Sequence, residues 1–355
     1  MNKRHLLLLI VATAIVATLP RSASAASCNP SFVVQHGRTF TVLPTGVDDT
    51  PNLQCAFDSA AAAGSSAVRL EKGTYHIRQI VVNNFKGSYT GAGAEQSVLT
   101  NLPNLYVTPF NMYYQPPSAA NPWPSLVSFV DGDFLVSDIG MKITGAVPTT
   151  GWTIYGLPTL YDLALGFTVL GTTSNAVFSR VDIEGEVAPN PVCNYNLYNG
   201  IGFEGLIGQE SQPPISGSFV VQNSTFQHLG SAVPVYNVVD ASVLLSHNNA
   251  QDVFDAMDLQ GLLNTMYEFS FNTVEGSSYG GYLYDATSAE GTTELCNLFG
   301  DPGQQQRLQR SVRGLPRRHV YGHNHLPGSR EQLPECDRFG DIPWSGHKPL
   351  PRGGQ

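Results

Sequence analysis

The chain has 355 residues, 42% of them hydrophobic, with 35 glycines, 24 prolines and only 13% charged residues. That balance suits many short strands joined by many turns, and it excludes both a mainly helical fold and a disordered chain. A net charge of −9 lacks the basic footprint that nucleic acid requires.

The first 25 residues read as an export signal. Lys3-Arg4-His5 form a basic start, Leu6 to Leu19 an apolar stretch, and Ala23-Ser24-Ala25 a cleavage site. No later apolar run is long enough to span a bilayer. The expected product is secreted or periplasmic, with no membrane span. Export permits disulfides, and the chain has five cysteines, Cys28, Cys55, Cys193, Cys296 and Cys336. Cys28–Cys55 is the expected pair, since both fall in the N-terminal cap.

Phe40 to Leu43 reads as a first strand. Asp49 or Thr50 then caps a helix with Pro51 in its first turn, an apolar stripe of Leu53, Phe57 and Ala60-Ala61, and Gly64 as its stop. Val68-Arg69-Leu70, Tyr75-His76-Ile77, Ile80-Val81-Val82 and Ser88-Tyr89-Thr90 follow as strand pieces, with a turn at Glu71 to Thr74. Gly91-Ala92-Gly93 is a poor dinucleotide fingerprint, because Gln96 stands where the third glycine belongs.

Three rows further on say nearly the same thing. They are Phe219 to Thr225, Leu244 to Ala250 and Glu268 to Val274, and Asn223, Asn248 and Asn272 recur in them at steps of 25 and 24. A period of this size marks a solenoid whose repeats bury their apolar faces against one another. Three strands of about 4–5 residues with short turns fill such a repeat. Asp138 and Arg180 occupy similar corners in earlier rows. The column three residues before each corner, Leu135, Val177, Val220, Leu245 and Phe269, is apolar throughout, as a buried stack requires. The wider spacing of the early rows predicts looped-out insertions near 145–174 and 185–216. These carry Trp152, Tyr155, Tyr195 and Tyr198, rings that can stack on sugars or simply pack their own loops down.

The stretch Asp48-Asp49-Thr50, Leu53-Gln54 and Ala56-Phe57, followed by a strand, Gly73-Thr74-Tyr75 and the turn Gly91-Ala92-Gly93, resembles the pectate-lyase-like (pectin lyase fold) superfamily. The resemblance spans roughly residues 39 to 300. It implies an all-β fold over 26–300: a single-stranded right-handed parallel β-helix with a short N-terminal capping α-helix. That superfamily holds lyases, hydrolases, epimerases and non-catalytic adhesion proteins. The expected function is therefore action on a polysaccharide, as a lyase or glycoside hydrolase, with a glycan-binding or surface-adhesion protein as the alternative.

Two carboxylate groups stand out. Asp252, Asp255 and Asp258 follow one corner directly and suit general acid–base work, a calcium site, or no more than a solvated acidic turn. Asp182, Glu184 and Glu186 alternate onto one strand face beside Arg180. That face resembles the calcium-and-arginine arrangement of pectate lyases, with Asp182 and Glu184 as Ca²⁺ ligands and Arg180 as base. It also fits ordinary surface decoration. The family's full pattern is missing, since no Lys or Arg lies between Arg180 and Arg307. His228 and His247 are lesser candidates, as acid–base groups or as plain hydrogen-bonding corners.

The tail departs from the pattern. Residues 301–355 turn basic and proline-rich with no strand periodicity, which is expected either of a frameshifted reading beginning near 300 or of a genuine disordered tail.

Overall fold

A computed structural model describes residues 28–102, 125–145, 153–154, 157–158, 165–186, 198–204, 214–260, 262, 264–276, 282–285, 293–295 and 309–310. The export signal, Cys193, Cys296, Cys336 and all of 301–355 except Gln309–Arg310 lie outside these residues.

The described residues are mostly β-strand with one helix, and their strands pair largely in parallel. After an antiparallel start, Val33–His36 with Thr39–Val42, the large sheet runs through Ser66–Leu70 into three long strands, Ile80–Thr90, Ser125–Ser137 and Leu165–Ser179. There it divides. The first half of Leu165–Ser179 pairs with Asn199–Glu204 and the second half with Ile215–Gln222. Two parallel ladders continue from this fork. The first holds Asn199–Glu204, Pro234–Tyr236, Asp258–Gln260 and Tyr282–Asp285; the second holds Ile215–Gln222, Val238–Ser246 and Met266–Ser270. A separate sheet forms the third ladder, from Gly73–Ile77 through Ser97–Asn101, Gly140–Lys142, Asp182–Glu184, Thr225–Gln227 and Asn249–Gln251 to Thr273–Glu275. Over residues 182–275 the chain thus visits the ladders in the order third, first, second. The parallel order ends where Thr293–Leu295 and Gln309–Arg310 join antiparallel.

Alternation explains the strands. Phe219 and Val221 are buried while Val220 and Gln222 between and after them are half-exposed, as a sheet with one face on a core demands. Glycine makes the bends inside the large sheet. Gly217 has φ +128°, and a Cβ there would lie 1.9 Å from the carbonyl oxygen of Ser174. Only glycine fits that approach.

The corner between the second and third ladders corrects the predicted register. Ser137, Ser179, Gln222, Ser246 and Ser270 are aligned across the second ladder. Each is followed by one residue at positive φ: Asp138, Arg180, Asn223, His247 and Phe271. Asn223 is therefore equivalent to His247 and Phe271, one place before Asn248 and Asn272. The latter two asparagines do a different job. Asn248 Oδ1 accepts the Ser224 N–H at 3.1 Å while its amide nitrogen donates to the Val221 carbonyl at 2.9 Å. Asn272 repeats this with the Asn248 N–H and the Leu245 carbonyl, both at 2.8 Å. The expected apolar stack is likewise split. Val136, Phe178, Val221 and Leu245 form the buried column, whereas Leu135, Val177 and Val220 lie half-exposed on the outer face beside Leu244 and Glu268.

The helix spans Thr50–Ala62 and buries Leu53, Ala56, Phe57 and Ala60 over the N-terminal repeats. The Phe57 ring meets Phe85, Tyr89 and Phe129 edge-on at 5.5, 4.8 and 5.8 Å. Asp49 holds the N-cap position without capping; its carboxylate instead accepts the Thr45 and His76 N–H groups at 2.6 and 2.8 Å. Cys28 and Cys55 form the expected disulfide, tying the chain's start to the helix. Among the described residues no helix is long and apolar enough to cross a membrane.

Candidate functional site

The longest connections border one ladder. Residues 102–124, 143–164 and 185–198 each lead from a strand of the third ladder into the first ladder or the long strands that begin it, and 205–214 leads out of it. The predicted insertions are narrower than their expected bounds, since 165–174 and 199–204 are strand.

The outward face of this ladder is polar and buried. Phe167, Val169, Phe203, Val235 and Leu259 point into the core, so Thr168, Gly202, Glu204, Tyr236 and Asp258 point away from it. Register places Ser128, Thr168, Gly202, Pro234, Asp258 and Tyr282 in one row, and Leu170, Glu204, Tyr236, Gln260 and Tyr284 in the next. Thr168 is fully buried, Glu204 is 6% exposed, Tyr236 3% and Asp258 6%. The Tyr236 hydroxyl donates a short hydrogen bond to Asp258 Oδ2. Two carboxylates and a phenol are thus withdrawn from bulk water without entering the core.

The three clustered aspartates part company in space. Asp258 joins this face. Asp255 is buried at the turn before the ladder, bridged to Ser231, with its N–H on the Gly230 carbonyl at 2.8 Å. Asp252 sits at a positive-φ corner, and its Oδ2 lies 2.9 Å from Nδ1 of His228, another such corner residue. Asp and His tolerate this conformation better than most side chains.

Arg180 is held at its corner by Asp138, Nε to Oδ1 at 2.7 Å and Nη2 to Oδ2 at 2.8 Å. The carboxylate raises the guanidinium's already high pKa, which opposes service as a base. Asp182 and Glu184 face outward on the third ladder, where Lys142 Nζ lies 2.6 Å from Glu184 Oε2. Burial, then Glu184 and Glu95, push the Asp182 carboxyl up, partly offset by Lys142. Glu186 accepts the Gly145 N–H at 2.8 Å. Among the described residues no three His, Cys, Asp or Glu side chains gather as a metal-holding group. Tyr198 is fully buried in the core cluster, so of the two readings of that ring the structure has the packing one. Trp152, Tyr155 and Tyr195 lie outside the described residues. His247 stacks on Phe271 with ring centroids 4.9 Å apart.

Glu204, Tyr236 and Thr168 were not singled out from the sequence. The signal was present at Ile201-Gly202-Phe203-Glu204, where an acid alternates with buried apolar residues instead of sitting in a turn. No family model, curated protein or solved structure matches the chain.

Proposed function

We propose that the chain is an exported right-handed parallel β-helix of pectate-lyase-like architecture that acts on a polysaccharide along the outward face of the first ladder, as a glycoside hydrolase. The observation that carries this reading is the pair of buried, outward-facing carboxylates Glu204 and Asp258, with Tyr236 donating to the second. Glycoside hydrolysis needs one carboxyl to protonate the leaving oxygen and another to activate water or attack the sugar. The parallel three-ladder order and the step of 24 residues between Asn248 and Asn272 support the β-helix. The Cys28–Cys55 disulfide suits an oxidising destination. A lyase is less well served, because its Arg or Lys base has no source between Arg180 and Arg307. The same lack favours glycan binding without catalysis as the second reading.

The test is incubation with a panel of neutral and uronate polysaccharides, with and without EDTA. New reducing ends without unsaturation, lost in Glu204→Gln and Asp258→Asn by about a thousandfold, are the expected result. Unsaturated ends mean a lyase, and binding without cleavage means an adhesin. Full activity in both variants rejects the site.

A further inference from the structure

The outer face of the second ladder carries an apolar stripe. Register places Leu135, Val177, Val220 and Leu244 in one row along it, with Ser88 before them and Glu268 after. All four aliphatic side chains are half-exposed. With their inward neighbours they make unbroken apolar runs, such as Phe219-Val220-Val221 and Val243-Leu244-Leu245. Runs of this kind mark parallel sheets that are covered on both faces. The face is open to such a cover, because Lys86, Asp133, Asn175 and Met266 in the adjacent row are all exposed. Of the three large apolar side chains exposed among the described residues, Met266 (56%) lies in this row and Phe271 (50%) at the corner of the same strand.

The two ends of the stripe differ in charge. Lys86, on the first of its strands, makes no ion pair among the described residues. Glu268, on the last, accepts the Ser270 hydroxyl at 2.8 Å. At about 4.8 Å per strand the ends lie about 24 Å apart. Two such faces are self-complementary in one orientation. About a two-fold axis that runs along the strands between Val177 and Val220, Val177 meets the partner's Val220 and Leu135 meets the partner's Leu244. The Lys86 stem then lies on the partner's Met266, with its ammonium in reach of the partner's Glu268. An axis along the solenoid instead sets Glu268 against the partner's Glu268, which like charge opposes.

We propose that the outer face of the second ladder docks a second copy of the chain. The product is an antiparallel two-fold dimer in which the row from Leu135 to Leu244 packs on its counterpart and Lys86 pairs with the partner's Glu268 at both ends. Four aliphatic residues a side make a small interface, so the dimer is weak and reversible. The inference does not depend on the glycan reading, which concerns the first ladder.

The experiment is sedimentation equilibrium of the full chain over about 1–500 μM. Wild type is expected to dimerise within this range. Lys86→Glu and Glu268→Lys each set like charges together at both ends and should raise the dissociation constant about tenfold, since the symmetry counts every exchange twice. The double variant should restore it. Melting temperatures close to wild type at low concentration check that the variants fold. Wild type alone gives a second measurement: a zero-length carbodiimide cross-link between Lys86 and Glu268 should form in the dimer only, because within one chain about 24 Å separates them. A monomer at every concentration overturns the proposal. So does a dimer without that cross-link, or one that neither single exchange weakens, because it uses another face or orientation. Failure of the double variant to restore association overturns the Lys86–Glu268 pairing and the antiparallel orientation with it.

Discussion

Arg180 reaches back one repeat and grips both carboxylate oxygens of Asp138, at 2.7 and 2.8 Å, and both residues sit at positive φ. The hydrogen bonds from Arg180 hold the Asp138 carboxyl below its ordinary range, helped by Ser137 and opposed by partial burial. Stability linked to a depressed carboxyl pKa is present above the unfolded value of about 3.9 and is lost as pH falls through the lower folded value. With the arginine side chain 58% exposed, solvent screening limits the pair to about 0.5–1 kcal/mol. Arg180→Ala is expected to lower the unfolding free energy from urea denaturation by that amount at pH 7 and by much less at pH 2.5. An undiminished difference in acid would contradict the pairing.

Asn248 is the more expensive residue to lose. Asn248→Ala strips partners from the Ser224 N–H and the Val221 carbonyl, both in the buried corner. Two orphaned backbone groups cost about 2–4 kcal/mol together. Chemical denaturation should show this loss, whereas a substitution at exposed Asn223, whose role is conformational, should cost under about 1 kcal/mol when glycine replaces it.

Backbone approach separates two glycines of positive φ. Gly217→Ala drives a methyl to within 1.9 Å of the Ser174 carbonyl oxygen, while Gly37→Ala, at φ +62°, meets nothing within 4 Å. The second should cost about 1 kcal/mol from left-handed strain alone. The first should cost about 3 kcal/mol or more, or yield no folded protein. Thermal melts of the two variants side by side check the ranking.

Asp182 has the opposite linkage from Asp138. Its folded pKa is raised, so the ionised form is disfavoured by folding, and stability falls as pH rises from the unfolded value through the folded one. Asp182→Asn should therefore raise the melting temperature slightly at pH 7 and leave it unchanged near pH 3. Calcium should leave the wild-type midpoint where it is, because Lys142 already neutralises Glu184. A calcium-dependent rise abolished in Asp182→Asn would show that these acids hold a metal after all.

The period, the strand rows, the helix and the Cys28–Cys55 pair were all legible in the residues. The register was not, because asparagine does two things here. At position 223 it tolerates a left-handed backbone, and at 248 and 272 its amide bridges neighbouring repeats one place later. Aligning like with like therefore slipped the first rows by one residue, and a one-residue slip exchanges the two faces of a strand. Leu135, Val177 and Val220 went to the wrong side for that reason alone. The aspartate cluster misled differently. The positive-φ corner at Asp252 turns the chain, so residues adjacent in sequence end on different faces. Glu204 reaches Tyr236 only through parallel pairing across a long connection, which nothing local to either residue announces.

Since Ser218, Ser242 and Met266 stand in one register row, with Asn248 and Asn272 24 residues apart, changes of chain length in this region are quantised. Excising or duplicating one whole step returns every inward side chain to the core and every asparagine to a waiting carbonyl. One residue more or less turns Phe219 and its successors toward solvent and leaves each corner amide facing the wrong group. The connections that border the first ladder, 185–198 and 205–214, join strands of different ladders and stand outside this constraint of register.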